Sequence, residues 1–128
     1  MEGPATVLVV EDEPMLLELC RTVLERAGMR VHAAAYPDEA LRLAGEGGLR
    51  PDVLVTDVVM PGIGGPELAE RLRTLLPGLP VVMVSGYPAD LIEDEVRSRA
   101  GVRMLPKPFT PDELVAAVSS YFVPPPSV

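Results

Sequence analysis

The fold is decided by residues 52–62, which read DVLVTDVVMPG. The run Asp52–Thr56 is largely apolar and of strand length, and Asp57 follows at its end. Runs without polar alternation are typical of strands that are buried on both faces of a sheet. A glycine- and proline-rich loop extends from Met60 to Gly65, and Pro66 suits the first turn of a helix. The stretch therefore predicts a central strand with an acidic end, a loop and a crossover helix.

The same alternation of strand and helix patterns continues on both sides of this stretch. Further strands are predicted at Thr6–Val10, Arg30–Ala34, Val81–Val84 and Val102–Leu105. Helical spacing of apolar residues predicts the intervening helices. Their expected core positions include Leu16, Leu19, Cys20, Val23 and Ala27 in the first helix and Leu68, Leu72, Leu75 and Leu76 in the third. A weakly held helix is predicted over Ala89–Arg99. This repeated alternation predicts an α/β fold, a doubly wound parallel sheet of five strands with helices on both faces.

Length and composition predict one folded domain. The chain has 128 residues, of which 48% are hydrophobic and 23% are charged. A net charge of −8 argues against a domain that wraps nucleic acid, because phosphates attract basic surfaces. The sequence shows neither an apolar run of the roughly 18 residues needed to span a bilayer nor a signal-peptide pattern at its start. With Cys20 as its single cysteine, the chain is predicted to be cytoplasmic, with a buried free thiol.

Acidic, hydroxyl and basic side chains follow the predicted strands at their carboxyl ends, namely Glu11, Asp12, Glu13, Asp57, Ser85 and Lys107. In an open α/β sheet these strand ends form one rim, where ligands bind. Crowded carboxylates repel one another unless a cation relieves them. An oxygen-only ligand set suits Mg²⁺, with Mn²⁺ as the alternative ion. The pattern therefore predicts a divalent metal site at this rim.

The same rim predicts phosphoryl chemistry. The Asp57 carboxylate would attack phosphorus and form an acyl phosphate. Lys107 would neutralise charge on the phosphoryl group, and Ser85 would donate a hydrogen bond to it. Each residue also has a purely structural explanation, since acidic residues cap helices, Asp and Ser favour turns, and a lone Lys is usually solvated. These explanations stay open, although four separate coincidences at one rim weaken them jointly.

Four motifs give the chain its resemblance to the receiver domains of two-component response regulators. They are LVVEDE at 8–13, VTDVVMPG at 55–62, VSGY at 84–87 and PKPF at 106–109. The resemblance implies a flavodoxin-like sheet in the order 2-1-3-4-5 with five helices, and phosphorylation of Asp57. It also implies Mg²⁺ held by Asp12, Asp57 and the Val59 backbone carbonyl, with Glu11 bound through water. Ser85 and Lys107 match the hydroxyl and the lysine of the family, and the Lys107–Pro108 bond is expected to be cis.

One position departs from the family pattern. Met104 stands where relatives often have Tyr or Phe, an aromatic residue that rotates inward when the Ser or Thr hydroxyl moves. We therefore expect an altered switch, in which Tyr87 takes over part of the aromatic role. Tyr87 and Val59 also flank the predicted phosphorylation site, where bulky groups would slow hydrolysis of the acyl phosphate.

The domain organisation implied by the resemblance is a short extension at 1–5, a receiver domain at 6–122 and a proline-rich tail at 123–128. The expected function is that of a phosphoacceptor for a histidine kinase or a histidine phosphotransfer domain, not an enzyme acting on an external small molecule. Homodimerisation on phosphorylation stays open. The motifs at 84–87 and 106–111 resemble those of receivers at the C-terminal ends of hybrid histidine kinases, and both a free-standing receiver and a domain of such a kinase stay open.

Two other classes of function compete with this one. A receiver fold that only binds partners, without being phosphorylated, is the main alternative, although such proteins usually lose one of the acidic or lysine residues that this chain keeps. A flavin-binding protein or a small-molecule enzyme is disfavoured, because Glu11, Asp12 and Glu13 would repel a phosphate after the first strand. The sequence also has no GxxxxGK[ST] loop.

Overall fold

The computed structural model describes residues 4–86 and 100–122, which form alternating strands and helices. The strands are β1 (Thr6–Val10), β2 (Arg30–Ala34), β3 (Val53–Asp57), β4 (Val81–Ser85) and β5 (Val102–Pro106). The helices of the described residues are α1 (Pro14–Arg26), α2 (Pro37–Ala44), α3 (Gly65–Leu75) and α4 (Pro111–Ser119). The predicted helix over Ala89–Arg99, Tyr87 and the proline-rich tail lie outside the described residues.

The five strands form one parallel sheet in the order β2-β1-β3-β4-β5. The chain thus starts next to the middle of the sheet, moves to one edge and then crosses to the other edge. The predicted α/β class, the strand order and the parallel arrangement are confirmed. Because all strands run in the same direction, the residues that follow β1, β3, β4 and β5 meet at one rim.

Two hydrophobic cores cover the two faces of the sheet. The α2/α3 core contains Ala40, Ala44, Leu68 and Leu72 from these helices, packed on one face of the strands. The α1/α4 core contains Cys20, Leu24, Leu114 and Val118, packed on the other face. Strand β3 is buried along its whole length, and its successive side chains face opposite cores: Leu54 lies in the α2/α3 core, and Val53 and Val55 lie in the α1/α4 core. The doubly wound arrangement follows directly from strands that are apolar on both faces.

Three expected core positions are wrong: Leu19, Leu75 and Ala27, the last of which is the exposed C-cap residue that follows α1. The side chain of Leu19 on α1 is 48% exposed, and that of Leu75 at the end of α3 is 46% exposed. Both leucines fit the helical period, but each lies at the border of the apolar stripe, where it covers only part of the core. Leu24, in contrast, is fully buried and completes the stripe of α1 together with Cys20.

Tyr121 joins the end of the described chain to the opposite rim of the sheet. Its hydroxyl group lies 2.9 Å from the carbonyl oxygen of Val81 and 2.8 Å from that of Gly101. The Arg103 guanidinium carbon lies 5.1 Å from the centre of the Tyr121 ring. These contacts fix the starts of β4 and β5 relative to each other, and β5 leads to Lys107.

Candidate functional site

The carboxyl ends of β1, β3, β4 and β5 surround an open pocket of about 400 Å³. It is lined by Glu11, Asp12, Glu13, Asp57, Val59, Val84, Ser85, Gly86 and Lys107. All predicted site residues of the described chain except Met104 therefore lie in one pocket. Met104 is half-buried and packs against the α2/α3 core, and Tyr87 lies outside the described residues.

Asp57 and Lys107 form an ion pair at the centre of the pocket. The Lys107 Nζ atom lies 2.9 Å from Asp57 Oδ1 and 3.9 Å from Glu11 Oε2. Asp57 is 5% exposed, and it ends the central strand β3. Burial disfavours the charged ammonium group, but the hydrogen bond to Asp57 and the negative charges of Asp57 and Glu11 outweigh it and raise the pKa of Lys107. Lys107 is therefore held as a cation beside the Asp57 carboxylate.

Glu11 is the most perturbed carboxyl group of the pocket. It is 4% exposed, and this burial is the main reason that its pKa rises to about 8. Its hydrogen bond with Asp57 and the negative charge of Asp57 raise the pKa further, whereas the Glu13 backbone N–H and Lys107 lower it. The Glu13 N–H donates to Glu11 Oε1 at 3.1 Å, and the Glu13 side chain makes no cap hydrogen bond on α1. The Glu13 side chain, at the N-cap position, therefore does not cap α1.

Three carboxyl groups are close enough to share one cation. Oxygen atoms of Glu11, Asp12 and Asp57 all lie within 4.8 Å of one another. Glu11 and Asp57 are buried, whereas Asp12 is exposed and leaves one side of the cluster open to water. A hard divalent ion such as Mg²⁺ prefers oxygen ligands and retains some of its waters. The donor set of the cluster fits such an ion.

Two backbone hydrogen bonds hold the loop that follows β3 in place at the ends of β3 and β4. The Val58 N–H donates to the Val84 carbonyl oxygen at 3.0 Å, and the Gly65 N–H donates to the Val58 carbonyl oxygen at 2.9 Å. A Cβ atom on Gly65 would lie 2.2 Å from the Asp57 carbonyl oxygen, so only glycine permits this approach. Val59, at the tip of the turn, lines the pocket and is 57% exposed.

Ser85 and Lys107 are joined through their backbones. The Lys107 N–H donates to the Ser85 carbonyl oxygen at 2.7 Å, which extends the pairing of β4 and β5 into the rim. Ser85 is 4% exposed, and it lines the pocket. The Lys107–Pro108 peptide bond is cis, as expected.

Two features of the site were missed by the sequence reasoning. One is the hydroxyl group of Thr56, which is fully buried beneath the turn. The other is an apolar groove of about 410 Å³ beside the pocket, lined by Leu16, Leu19, Gly86, Lys107, Pro108 and Phe109. Leu19 lines this groove, which explains why an apolar side chain is exposed at that position. Phe109, the last residue of the PKPF motif, is the apolar residue that points to this groove in the sequence.

Comparisons with known proteins agree with this geometry. The family model of the response regulator receiver domain matches residues 7–119. The sensor kinase CckA of Brucella abortus (strain 2308) is 39% identical over 118 residues, which are 92% of this chain and 12% of that protein. The probable transcriptional regulatory protein TcrX of Mycobacterium tuberculosis is 36% identical over 114 residues, which are 88% of this chain and 47% of that protein. The chain thus spans half or less of these relatives.

A solved structure supports the same assignment. The receiver domain of the hybrid histidine kinase CckA superposes with a TM-score of 0.79 at 34% identity, covering 93% of this chain and 100% of the solved chain. Among the described residues, no helix is long and apolar enough to cross a bilayer. The matching family model, the strand order and the pocket at the strand ends lead to one conclusion: the chain belongs to the response regulator receiver domain family.

Proposed function

We propose that Asp57 accepts a phosphoryl group from a phosphohistidine of a partner protein. The observation that carries this proposal is the position of the Asp57 carboxyl group. It ends the central strand, faces an open pocket and lies 2.9 Å from the Lys107 ammonium group. A buried carboxylate beside a fixed cation is oriented for attack on phosphorus.

The transfer exchanges one bond for another. A carboxylate oxygen of Asp57 forms a P–O bond, the P–N bond of the phosphohistidine breaks, and its electron pair stays on the imidazole nitrogen. Water later breaks the acyl phosphate, which returns the Asp57 carboxylate and releases inorganic phosphate. The chain accepts the group onto itself, so no external small-molecule substrate is required.

Glu11, Asp12, Asp57 and the Val59 backbone carbonyl would hold Mg²⁺, with Glu11 bound through water. The bound ion would offset the charge of the carboxyl groups and of the incoming phosphoryl oxygens. Mn²⁺ is the alternative ion, since it accepts the same oxygen ligands. The proximity of the three carboxyl groups supports this assignment.

Lys107 and Ser85 would stabilise the transferred group after attack. The Lys107 ammonium group is already beside Asp57, where it can neutralise phosphoryl charge. The Ser85 side chain lines the same pocket and offers a hydroxyl donor. A backbone hydrogen bond joins Lys107 to Ser85, so the distance between their main chains is set before the phosphoryl donor arrives.

The partner would be a histidine kinase or a histidine phosphotransfer domain. The apolar groove of Leu16, Leu19, Pro108 and Phe109 shares Lys107 and Gly86 with the acidic pocket. A partner that covers this groove would bring its imidazole to the rim beside Asp57. Similarity to the CckA receiver favours a phosphorelay of a hybrid kinase, in which the chain would correspond to a small part of the whole protein.

The alternative of an interaction module that is never phosphorylated finds no support in the described residues. Such a module has no need of a carboxyl cluster and a lysine in one pocket, yet Glu11, Asp12, Asp57 and Lys107 all line it. The domain bounds 6–122, a cytoplasmic location and homodimerisation on phosphorylation stay predictions.

Intact-mass spectrometry after incubation with acetyl phosphate and Mg²⁺ tests the proposal. The wild-type protein should gain one phosphoryl group, and the gain should disappear in EDTA or in Asp57→Asn. Asp112→Asn, an exposed position on α4, is the matched control and should be phosphorylated like the wild type. A wild type that never gains mass, from acetyl phosphate or from a phosphorylated histidine donor, would contradict the proposal.

A further inference from the structure

A buried hydroxyl group lies directly beneath the turn that follows β3. Thr56 is fully buried, and its register neighbours in the sheet are Val10 and Met83. Its side chain faces the α2/α3 core, where the neighbouring positions are apolar. Valine would satisfy the strand and the core at this position without a polar group to accommodate. The hydroxyl group therefore calls for a specific explanation.

The Thr56 hydroxyl group contacts both sides of the turn. Its Oγ1 atom lies 3.1 Å from the Asp57 carbonyl oxygen and 3.8 Å from Met60 Sδ. Met60 is itself 6% exposed and belongs to the α2/α3 core. A single hydroxyl proton can serve either acceptor, so the group links the start of the turn to its far side.

These contacts leave Val59 between two fixed neighbours. Val58 is held by its hydrogen bonds with Val84 and Gly65, and Met60 is held in the core beside Thr56. Val59 itself is exposed at the pocket. A metal ligand bound through its backbone gains affinity when its position is set in advance, because less conformational freedom is lost on binding.

From this arrangement we infer that Thr56 is a positioning residue for the metal site, which holds the turn of residues 58–60 so that Val59 presents its carbonyl oxygen to Mg²⁺. The inference rests on the proposed function, because it concerns the same metal. Thr56 does not line the pocket, so its effect on the metal would be transmitted through its contacts with Asp57 and Met60.

The test is Mg²⁺ affinity, measured by calorimetric titration at a temperature at which every variant is folded. Thr56→Val keeps the shape and removes the hydroxyl group, and it should weaken Mg²⁺ binding by about 3- to 10-fold, the range expected for one hydrogen bond. Thr56→Ser keeps the hydroxyl group, and its Mg²⁺ affinity should be within about twofold of that of the wild type. Thr74→Val, the same substitution on the exposed side of α3, should leave the affinity unchanged.

A merely structural role gives a different result. It would lower the melting temperature of Thr56→Val in EDTA while leaving the Mg²⁺ dissociation constant as in the wild type, and that outcome overturns the inference. Met60→Leu tests whether Thr56 acts through Met60. The double variant Thr56→Val/Met60→Leu should then bind Mg²⁺ no more weakly than Thr56→Val alone. Full additivity of the two losses would overturn the link through Met60. A wild type that binds no Mg²⁺ would overturn the metal assignment as well, whereas unchanged binding in Thr56→Val alone overturns only this inference.

Discussion

Replacement of Gly65 by alanine sets two opposing effects against each other. Gly65 is the first residue of α3, where alanine normally stabilises a helix by up to about 1 kcal/mol relative to glycine. The added Cβ atom would, however, lie 2.2 Å from the Asp57 carbonyl oxygen and 3.1 Å from Met83 Sδ. Real Cβ atoms essentially never approach a neighbour within 3.0 Å, so the backbone must move by about 0.8 Å.

The steric effect should win. Overpacking in a rigid core costs about 1–3 kcal/mol, and the neighbour here is backbone that cannot rotate away. We expect Gly65→Ala to lower the free energy of unfolding by about 1–2 kcal/mol after the gain in helix propensity. The displaced atoms belong to Asp57 itself, and misplacement of a reacting group by about 1 Å can cost about 100-fold in rate. Phosphorylation by acetyl phosphate should therefore slow by at least about 10-fold.

Urea unfolding and the rate of mass gain with acetyl phosphate measure the two effects. Gly48→Ala is the control, because its added Cβ atom meets no atom within 4 Å, although the residue has a φ of +66°. That variant should lose about 1 kcal/mol from backbone strain alone and keep the wild-type rate. A Gly65→Ala protein that is as stable as the wild type and is phosphorylated at the same rate would refute the steric reasoning.

Three further predictions concern the ion pair, the acidic pocket and the opposite rim. Lys107→Met should destabilise the metal-free protein at pH 8 by about 1 kcal/mol. This loss is smaller than that for breaking a fully buried ion pair, because the Lys107 side chain is 30% exposed. Equal urea midpoints of the variant and the wild type in EDTA would contradict the prediction. Since the pKa of Glu11 is raised in the folded protein from 4.5 to about 8, its contribution to stability is complete below pH 4.5 and is lost as the pH rises through about 8. The free energy of unfolding in EDTA should thus fall between these pH values in the wild type, and less steeply in Glu11→Gln; parallel curves would argue against a buried, protonated Glu11. Tyr121→Phe should lower the free energy of unfolding by about 1 kcal/mol, because two carbonyl groups lose their shared donor, with no change in phosphorylation rate; an unchanged melting temperature would show that water replaces the hydroxyl group.

The sheet could be predicted because its signals are local. Strands β1 and β2 begin and end at the predicted residues. Strand β1 is a β-branched apolar run that ends before the acidic residue Glu11, whereas β2, with Val31 as its one β-branched residue, follows Gly28 and precedes Pro37. Strand β3 is shifted by one residue, from Asp52–Thr56 to Val53–Asp57. Asp52 lies just before the strand, where its side chain accepts a hydrogen bond from the Thr6 N–H at 2.8 Å and its own N–H donates to the Thr6 carbonyl oxygen at 2.7 Å. These contacts join residues far apart in sequence, and no local pattern indicates them.

The site was predictable as a set of residues but not as an electrostatic arrangement. Parallel strands bring Glu11, Asp57 and Lys107 to one rim, so their proximity follows from topology. The burial of Glu11 and the resulting rise of its pKa depend on how the neighbouring loops pack, which the sequence does not reveal. Helical periodicity likewise placed Leu19 in the core, because it identifies an apolar stripe without showing whether its border faces the core or a groove at the surface.

The central claim is that the Asp57 carboxylate becomes an acyl phosphate, and chemical trapping of that bond tests it most directly. Borohydride reduces an acyl phosphate of aspartate to homoserine, which peptide mass spectrometry can locate after treatment of the protein with acetyl phosphate and Mg²⁺. Homoserine at position 57, absent when EDTA is present, is the predicted result. Homoserine at Asp12 or at any other carboxyl position, with none at 57, would contradict the assignment of Asp57 as the phosphoacceptor.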